Sequence, residues 1–324
     1  MNPADEGLTT EARDRLRLIV NRTTELTPLK TVATRAIQLA EDERTAAMDL
    51  ATVISSDQAL TAKLLRLSNS AYYGYARRIS NVREAVILLG MRTVRSVAIA
   101  SAIIDALRPP ESAEFDQDLF WAHSVCVGLV AEVIARETKA ARPEDAFTAG
   151  VLHDVGKLSM IICEPAMFDD VVDLVITDGM RYRDAETRVF GLNHEHVGGR
   201  LAQRWKFPEP LVNAIRMHHP ATPVRSVETM GDLVAAADLA CNRAGLACGF
   251  DWTRKAARWP IEALPPRVDE AINRVPGGMR TLEEKARSFL LHVTARAPRW
   301  YVNVLVDDEA DDAEETAGSH EGTA

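Results

Sequence analysis

A histidine and an aspartate stand side by side in the apolar run Val151-Leu152-His153-Asp154-Val155-Gly156-Lys157-Leu158. Burying such groups without a partner is costly, so the pair must be hydrogen-bonded, ion-paired or coordinated to a cation. Six of the eight histidines, His123, His153, His194, His196, His218 and His219, fall in one stretch of the chain, and Asp238 follows in an alanine-rich apolar segment. Imidazole mixed with carboxylate suits a divalent metal such as Mn, Fe, Ni or Zn, with positions left for water or phosphate. The candidate ligands are therefore His123, His153, Asp154, His194, His218, His219 and Asp238, with Lys157 as a point charge for a phosphate. Each also has a plainer reading. Lys157 can simply pair with Asp154 three residues back, His123 can be a satisfied core histidine, His196 competes with His194, and His218-His219 can be a polar helix end. Asp238 fits packing least, because an unpaired carboxylate in an apolar helix is costly or protonated.

Helices must position these residues. From Thr27 onward most segments carry apolar residues at helical spacing, which predicts an all-α chain with one exception, a strand over Tyr301–Val306. Asp57 is placed to cap a helix carrying Leu60, Leu64 and Leu67, and Asn81 with Glu84 forms a capping-box pattern ahead of Val82–Leu89. Pro109-Pro110 marks the best internal boundary. Beyond it, His123 shares the inner face of a helix over Leu119–Glu137. Pro143 opens a helix expected to run through Phe147, Gly150, His153, Asp154 and Lys157, on which neighbouring side chains point about 100° apart. Gly150 would let another helix approach closely. Asn193 caps the helix of His194, Leu211–His219 ends at Pro220, and Met230–Cys241 carries Asp238. Further helices are expected around Ala256, over Val268–Val275, and over Thr281–Val293 behind a Thr281/Glu284 capping box. The implied organisation is an extension over 1–25, a helical subdomain over 26–110, a ligand-bearing subdomain over 111–246, a helical extension over 247–306 and a solvated tail over 307–324.

Composition narrows the function classes. The chain is 47% hydrophobic and 26% charged, as in ordinary globular proteins. Its net charge of −9 is concentrated in the tail, whose eight acids, set aside from 47, leave 39 against 38 basic residues. A near-neutral body lacks the basic footprint of a nucleic-acid binder. Cys126, Cys163, Cys241 and Cys248 include no pair at metal-knuckle or redox spacing. Without a signal peptide or an uninterrupted apolar run of about 18 residues, neither secretion nor a membrane span is expected, and the chain reads as cytoplasmic.

The order His123, His153-Asp154, His194, His218-His219, Asp238 resembles the HD superfamily of metal-dependent phosphohydrolases. Leu64-Leu65-Arg66-Leu67-Ser68-Asn69-Ser70-Ala71-Tyr72-Tyr73-Gly74, Ile79-Ser80 and Val86-Ile87-Leu88-Leu89-Gly90 resemble the HDOD family, the HD-related output domains of bacterial signalling proteins. The likeness covers roughly Leu26 to Leu246. It implies a regulatory module that meets a kinase, a response regulator or a similar signalling partner, without catalytic turnover; it leaves an oligomer open. The ligand set here departs from the degenerate ligands common in that family and is similar to that of the HD-GYP cyclic-di-GMP phosphodiesterases. That likeness implies the alternative, a metal-dependent phosphohydrolase of a nucleotide or cyclic dinucleotide, or a pocket that binds one. The 18 residues between His219 and Asp238 leave no room for the GYP loop. Ser68–Tyr75 carries no nucleophile and base, and is expected to be an aromatic corner docking the N-terminal helices.

Overall fold

The computed structural model describes residues 7–29, 31–38, 43–70, 73, 77–110, 115–220, 224–246 and 263–294. Among these every regular element is a helix: α1 (Thr10–Leu26), α2 (Thr31–Gln38), α3 (Glu43–Ser55), α4 (Gln58–Ser68), α5 (Val82–Leu89), α6 (Met91–Ala106), α7 (Gln117–Thr138) and α8 (Pro143–Leu152) lead into α9 (Val155–Cys163), α10 (Pro165–Asp178) and α11 (Tyr182–Phe190). There follow α12 (His194–Arg204), α13 (Glu209–Arg216), α14 (Met230–Arg243), α15 (Pro266–Asn273) and α16 (Gly278–Val293). The fold is all-α. The expected strand over Tyr301–Val306, the helix around Ala256, Cys248 and the acidic tail lie outside the described residues.

Caps set many boundaries as their chemistry predicts. Asp57 accepts from the Leu60 N–H, Asn81 from the Glu84 N–H, and Thr229 with Asp232 forms a reciprocal box at the head of α14. At α16 the expectation fails, because the helix begins at Gly278 behind Gly277 with no side-chain cap, three residues ahead of Thr281. Gly277 takes φ +81°, a left-handed conformation that glycine adopts without strain and that starts the helix early. Asn69 works as a clamp: its side-chain amide donates to the Ile79 carbonyl at 2.8 Å and its oxygen accepts the Ile79 N–H at 2.7 Å. Of the Ser68–Tyr75 corner, only 68–70 and 73 are described.

α7 is the axis. Phe120 to Ala131 is buried all round, and α8, α14, α15 and α16 pack on it. Such a helix, hydrophobic on every side, belongs in the interior. α7 and the run Pro143–Cys163 are long and apolar enough to cross a bilayer, but 72% and 94% of their apolar windows are buried inside this bundle. Gly128 of α7 faces Gly150 of α8, where a Cβ on Gly150 would sit 2.6 Å from the Gly128 Cα. That contact delivers the end of α8 to the middle of the bundle.

The one long helix expected through His153 and Asp154 is instead two. α8 stops at Leu152, Asp154 takes φ −97° and ψ 8°, and α9 starts at Val155. The Lys157 N–H turns back to the Asp154 carbonyl at 2.9 Å. A continuous helix would splay the two side chains about 100° apart; across the break His153 Nε2 comes within 3.4 Å of Asp154 Oδ2. α1, which the sequence pattern did not reveal, docks behind this break: Arg22 donates to the Cys163 carbonyl at 2.8 Å and Arg15 to the Phe190 carbonyl at 2.8 Å.

Candidate metal centre

All seven candidate ligands meet in one place. The α8–α9 break supplies His153 and Asp154, α7 supplies His123, α14 supplies Asp238, the start of α12 supplies His194, and the turn after α13 supplies His218 and His219. Their ligand atoms form two groups, His123 with His153 and Asp238, and Asp154 with His194, His218 and His219, each within 4.8 Å. Asp154 joins the groups: Oδ2 lies 3.4 Å from His153 Nε2, while Oδ1 lies 3.3 Å from His194 Nε2 and 3.5 Å from His218 Nε2. His123 Nε2 is 3.1 Å and His153 Nε2 3.8 Å from Asp238 Oδ1.

The outer atoms decide what the inner ones can do. His153 Nδ1 lies 2.7 Å from the Gly150 carbonyl, His218 Nδ1 2.7 Å from that of Ile215, and His123 Nδ1 3.2 Å from that of Leu246. A carbonyl oxygen only accepts, so each Nδ1 carries a proton and each Nε2 turns inward, bare whenever the ring is neutral. Those lone pairs face carboxylate oxygens and one another, as His194 Nε2 does His218 Nε2 at 3.2 Å. Acceptor against acceptor is repulsive unless a proton or a metal cation lies between. Three of the facing atoms, His123 Nε2, His153 Nε2 and Asp154 Oδ1, are buried with no hydrogen-bond donor. This donor set, imidazole nitrogens and carboxylate oxygens oriented from behind, fits a divalent metal.

Charge follows the same arrangement. Burial works to raise Asp154, but His153 and Lys157 outweigh it and hold its carboxyl well below the usual range. Asp238 is likewise lowered against burial, first by His123, whose Nε2 lies 3.1 Å away, and then by His153. Burial drives His194 and His219 well below an ordinary histidine. His218 is raised instead, because the Asp154 carboxylate, 3.5 Å from its Nε2, outweighs its burial. The lowered Asp154, Asp238, His194 and His219 favour the deprotonated groups that bind metal.

Lys157 shows the plainer of its two readings, the pair with Asp154. Its Nζ lies 2.5 Å from Asp154 Oδ2, an i, i+3 pair, and 4.9 Å from the centre of the Tyr182 ring. His196 is excluded from the cluster, because its ring closes a capping box with Asn193. Two acids were missed. Glu186 of α11 is fully buried against His194, and Glu195 accepts from the His219 N–H at 3.1 Å and pairs with Arg183 at 2.7 Å. Burial raises both carboxyls, Glu186 the more strongly. A signal for Glu186 was there: it shares a helical stripe with Tyr182, Ala185, Val189 and Phe190.

The family model for the HDOD domain matches residues 26–221, well over half of the chain. The chain belongs to the HDOD family. An HDOD domain protein of unknown function from Geobacter sulfurreducens superposes with a TM-score of 0.64 at 28% identity, covering 87% of this chain and 96% of its own. A provisionally named phosphohydrolase from Shewanella amazonensis does so at 0.59 and 25% identity, covering 85% and 95%. A provisionally named signal transduction protein from Marinobacter aquaeolei shares the fold at 0.62 and 22% identity, covering 90% and 66%. A Treponema pallidum protein is 30% identical over 172 residues, and ribonuclease Y of Aquifex aeolicus 33% identical over 111. These cover 53% and 34% of this HDOD chain but only 33% and 14% of those longer proteins. Among solved structures that share this fold, then, one carries a phosphohydrolase name and one a signal transduction name.

Proposed function

We propose that this HDOD protein is a bacterial, cytoplasmic signalling module that acts through regulated contacts with a kinase, response regulator or similar protein, organised around a divalent metal centre. The depth of the centre carries this reading. His123, His153, Asp154, His194 and His218 are each at most 1% exposed, and only His219 and Asp238 reach towards solvent. Ligands so enclosed suit a cation that holds α7, α8, α9, α12, α13 and α14 in one arrangement. They give little access to a phosphoryl group that must be attacked in line. His123, His153 and Asp238 would hold one ion, Asp154, His194, His218 and His219 a second, and Mn, Fe, Ni and Zn all match the donors.

The second reading, a metal-dependent phosphohydrolase of a nucleotide or cyclic dinucleotide, is favoured by Lys157 beside Asp154. Bound metal would supply a low-pKa water as nucleophile. Lys157 would stabilise charge on the phosphoryl oxygens, Asp154 would anchor both metal groups, and the carbonyls behind His123, His153 and His218 would keep each Nε2 aimed inward. The test is metal content of protein purified without chelator, followed by turnover of a nucleotide and cyclic-dinucleotide panel. Metal without turnover, together with capture of a defined signalling partner that Asp154→Ala weakens, supports the module. Turnover abolished in Asp154→Ala supports the enzyme, and a chain that takes up no Mn, Fe, Ni or Zn refutes both metal readings.

A further inference from the structure

We infer that Glu186 is a positioning residue that fixes His194 as a metal ligand, an inference that rests on the metal reading above. Glu186 has no exposed surface and lies on the inner stripe of α11. One of its oxygens, Oε2, accepts two hydrogen bonds from the same residue: the His194 backbone N–H at 3.0 Å and the ring Nδ1–H at 2.6 Å. Gripping a histidine by its main chain and its ring at once sets both the ring orientation and the tautomer. With the proton held on Nδ1, the lone pair of Nε2 must point at Asp154 Oδ1, 3.3 Å away.

The other imidazoles whose support is described lean on backbone carbonyls, which the helix ends supply whatever the side chains are. His194 sits in the first turn of α12, where no preceding helical carbonyl is in reach, so a side chain from another helix must take that role. The second oxygen, Oε1, is buried with no hydrogen-bond partner. A glutamate kept only to cement α11 to α12 would be expected to engage both oxygens; this one spends a single oxygen, entirely on His194. α11 is in turn fastened from behind by Arg15 of α1 at the Phe190 carbonyl. The support for this ligand thus reaches back to a helix that precedes the matched domain.

The experiment uses the full chain, with Zn²⁺ titration against a competing chelator and nitrogen NMR of the histidine rings in metal-free protein. Glu186→Ala, and the volume-matched Glu186→Met should alanine not fold, lose the acceptor. Each is expected to weaken Zn²⁺ binding by about 10–100-fold, the usual effect of removing a partner behind a ligating histidine, and to shift His194 to a mixture of tautomers. Glu186→Gln keeps an accepting oxygen and is expected to restore the Nδ1–H tautomer and most of the affinity. A folded Ala or Met variant with unchanged affinity and tautomer overturns the inference, as does a parent His194 protonated on Nε2 alone. If the parent chain binds no Zn²⁺, Mn or Fe, the metal reading fails while the ring tautomer still judges the role of Glu186.

Discussion

Among the described glycines, the one with least room for a side chain lies beside the centre, and adding one methyl group there has a calculable effect. A Cβ on Gly156 of α9 would lie 2.0 Å from the His194 carbonyl oxygen and 2.8 Å from the Gly198 N–H, on top of a turn of α12. Both obstacles are main chain, so no side chain can swing aside. Restoring an ordinary contact of about 3.4 Å requires α9 and α12 to part by roughly 1.4 Å, when metal-ligand distances tolerate only about 0.2 Å. Gly156→Ala should therefore drag His194 out of ligand range of Asp154. Overpacking of this kind costs about 1–3 kcal/mol, which in a chain of this size lowers Tm by roughly 2–12 °C. The assay pairs thermal unfolding with and without Zn²⁺ against Gly231→Ala as control. At Gly231 the nearest atom to an added Cβ is 3.5 Å away and the residue is helical, so Tm should hold or rise. A Gly156→Ala variant with parental Tm and parental metal stabilisation would refute the claim that this contact sets the geometry of the centre.

Three further outcomes follow. Asn69→Ala removes both hydrogen bonds to Ile79 and leaves the backbone of that buried residue unpaired, costing about 1–3 kcal/mol in urea unfolding; a loss near zero would mean water replaces the clamp. Lys157→Met leaves Asp154 without its buried counter-charge, and breaking such a pair costs about 3–5 kcal/mol. That loss should shrink when Zn²⁺ supplies the positive charge, and an identical loss with and without metal would count against the centre. Glu132 tests pH linkage away from the ligands. Burial raises its carboxyl above the ordinary value of 4.5, more than Arg136 lowers it. The folded state therefore holds the proton more tightly than the unfolded chain. This contribution is fully present below 4.5 and is lost as pH rises from there through the raised folded value. Glu132→Gln should flatten that fall and gain Tm relative to the parent at neutral pH, so parallel Tm profiles from pH 4 to 8 would contradict it.

The His/Asp cluster was legible because it is written in residue types that packing alone explains poorly, placed at the ends and inner faces of helices that periodicity reveals. His123 on α7 and Asp238 on α14 could be read from helical spacing alone. The break at His153-Asp154 could not, since an apolar run from Val151 to Leu158 fits one helix as well as two, and the turn that parts them uses no glycine or proline. α1 was equally hidden. Its inner face is only Ala12, Leu16, Ile19, Val20 and Thr23, and its value to the fold lies in two arginines reaching carbonyls more than a hundred residues away. Glu186 stayed unread for a related reason: its partner His194 is eight residues on, across a turn, and only the folded pair shows that one carboxylate oxygen serves both N–H groups.

These features bear on both proposed readings, the signalling module and the hydrolase. The ligand atoms come from separate helices whose spacing is set by glycine contacts, Gly128 on Gly150 and Gly156 on Gly198, and not by the ligands themselves. A cation at Asp154 would add its binding energy to an arrangement that packing already enforces. Metal occupancy would then tighten α9 against α12 and α13 without needing an opening to solvent. A hydrolase on the same scaffold must also uncover Asp154 and Lys157, which are 1% and 5% exposed here. Exposure of those two residues on addition of metal and nucleotide, read by hydrogen exchange at 153–158, separates the two outcomes: protection that only increases belongs to a metal-locked module, and nucleotide-dependent opening to an enzyme.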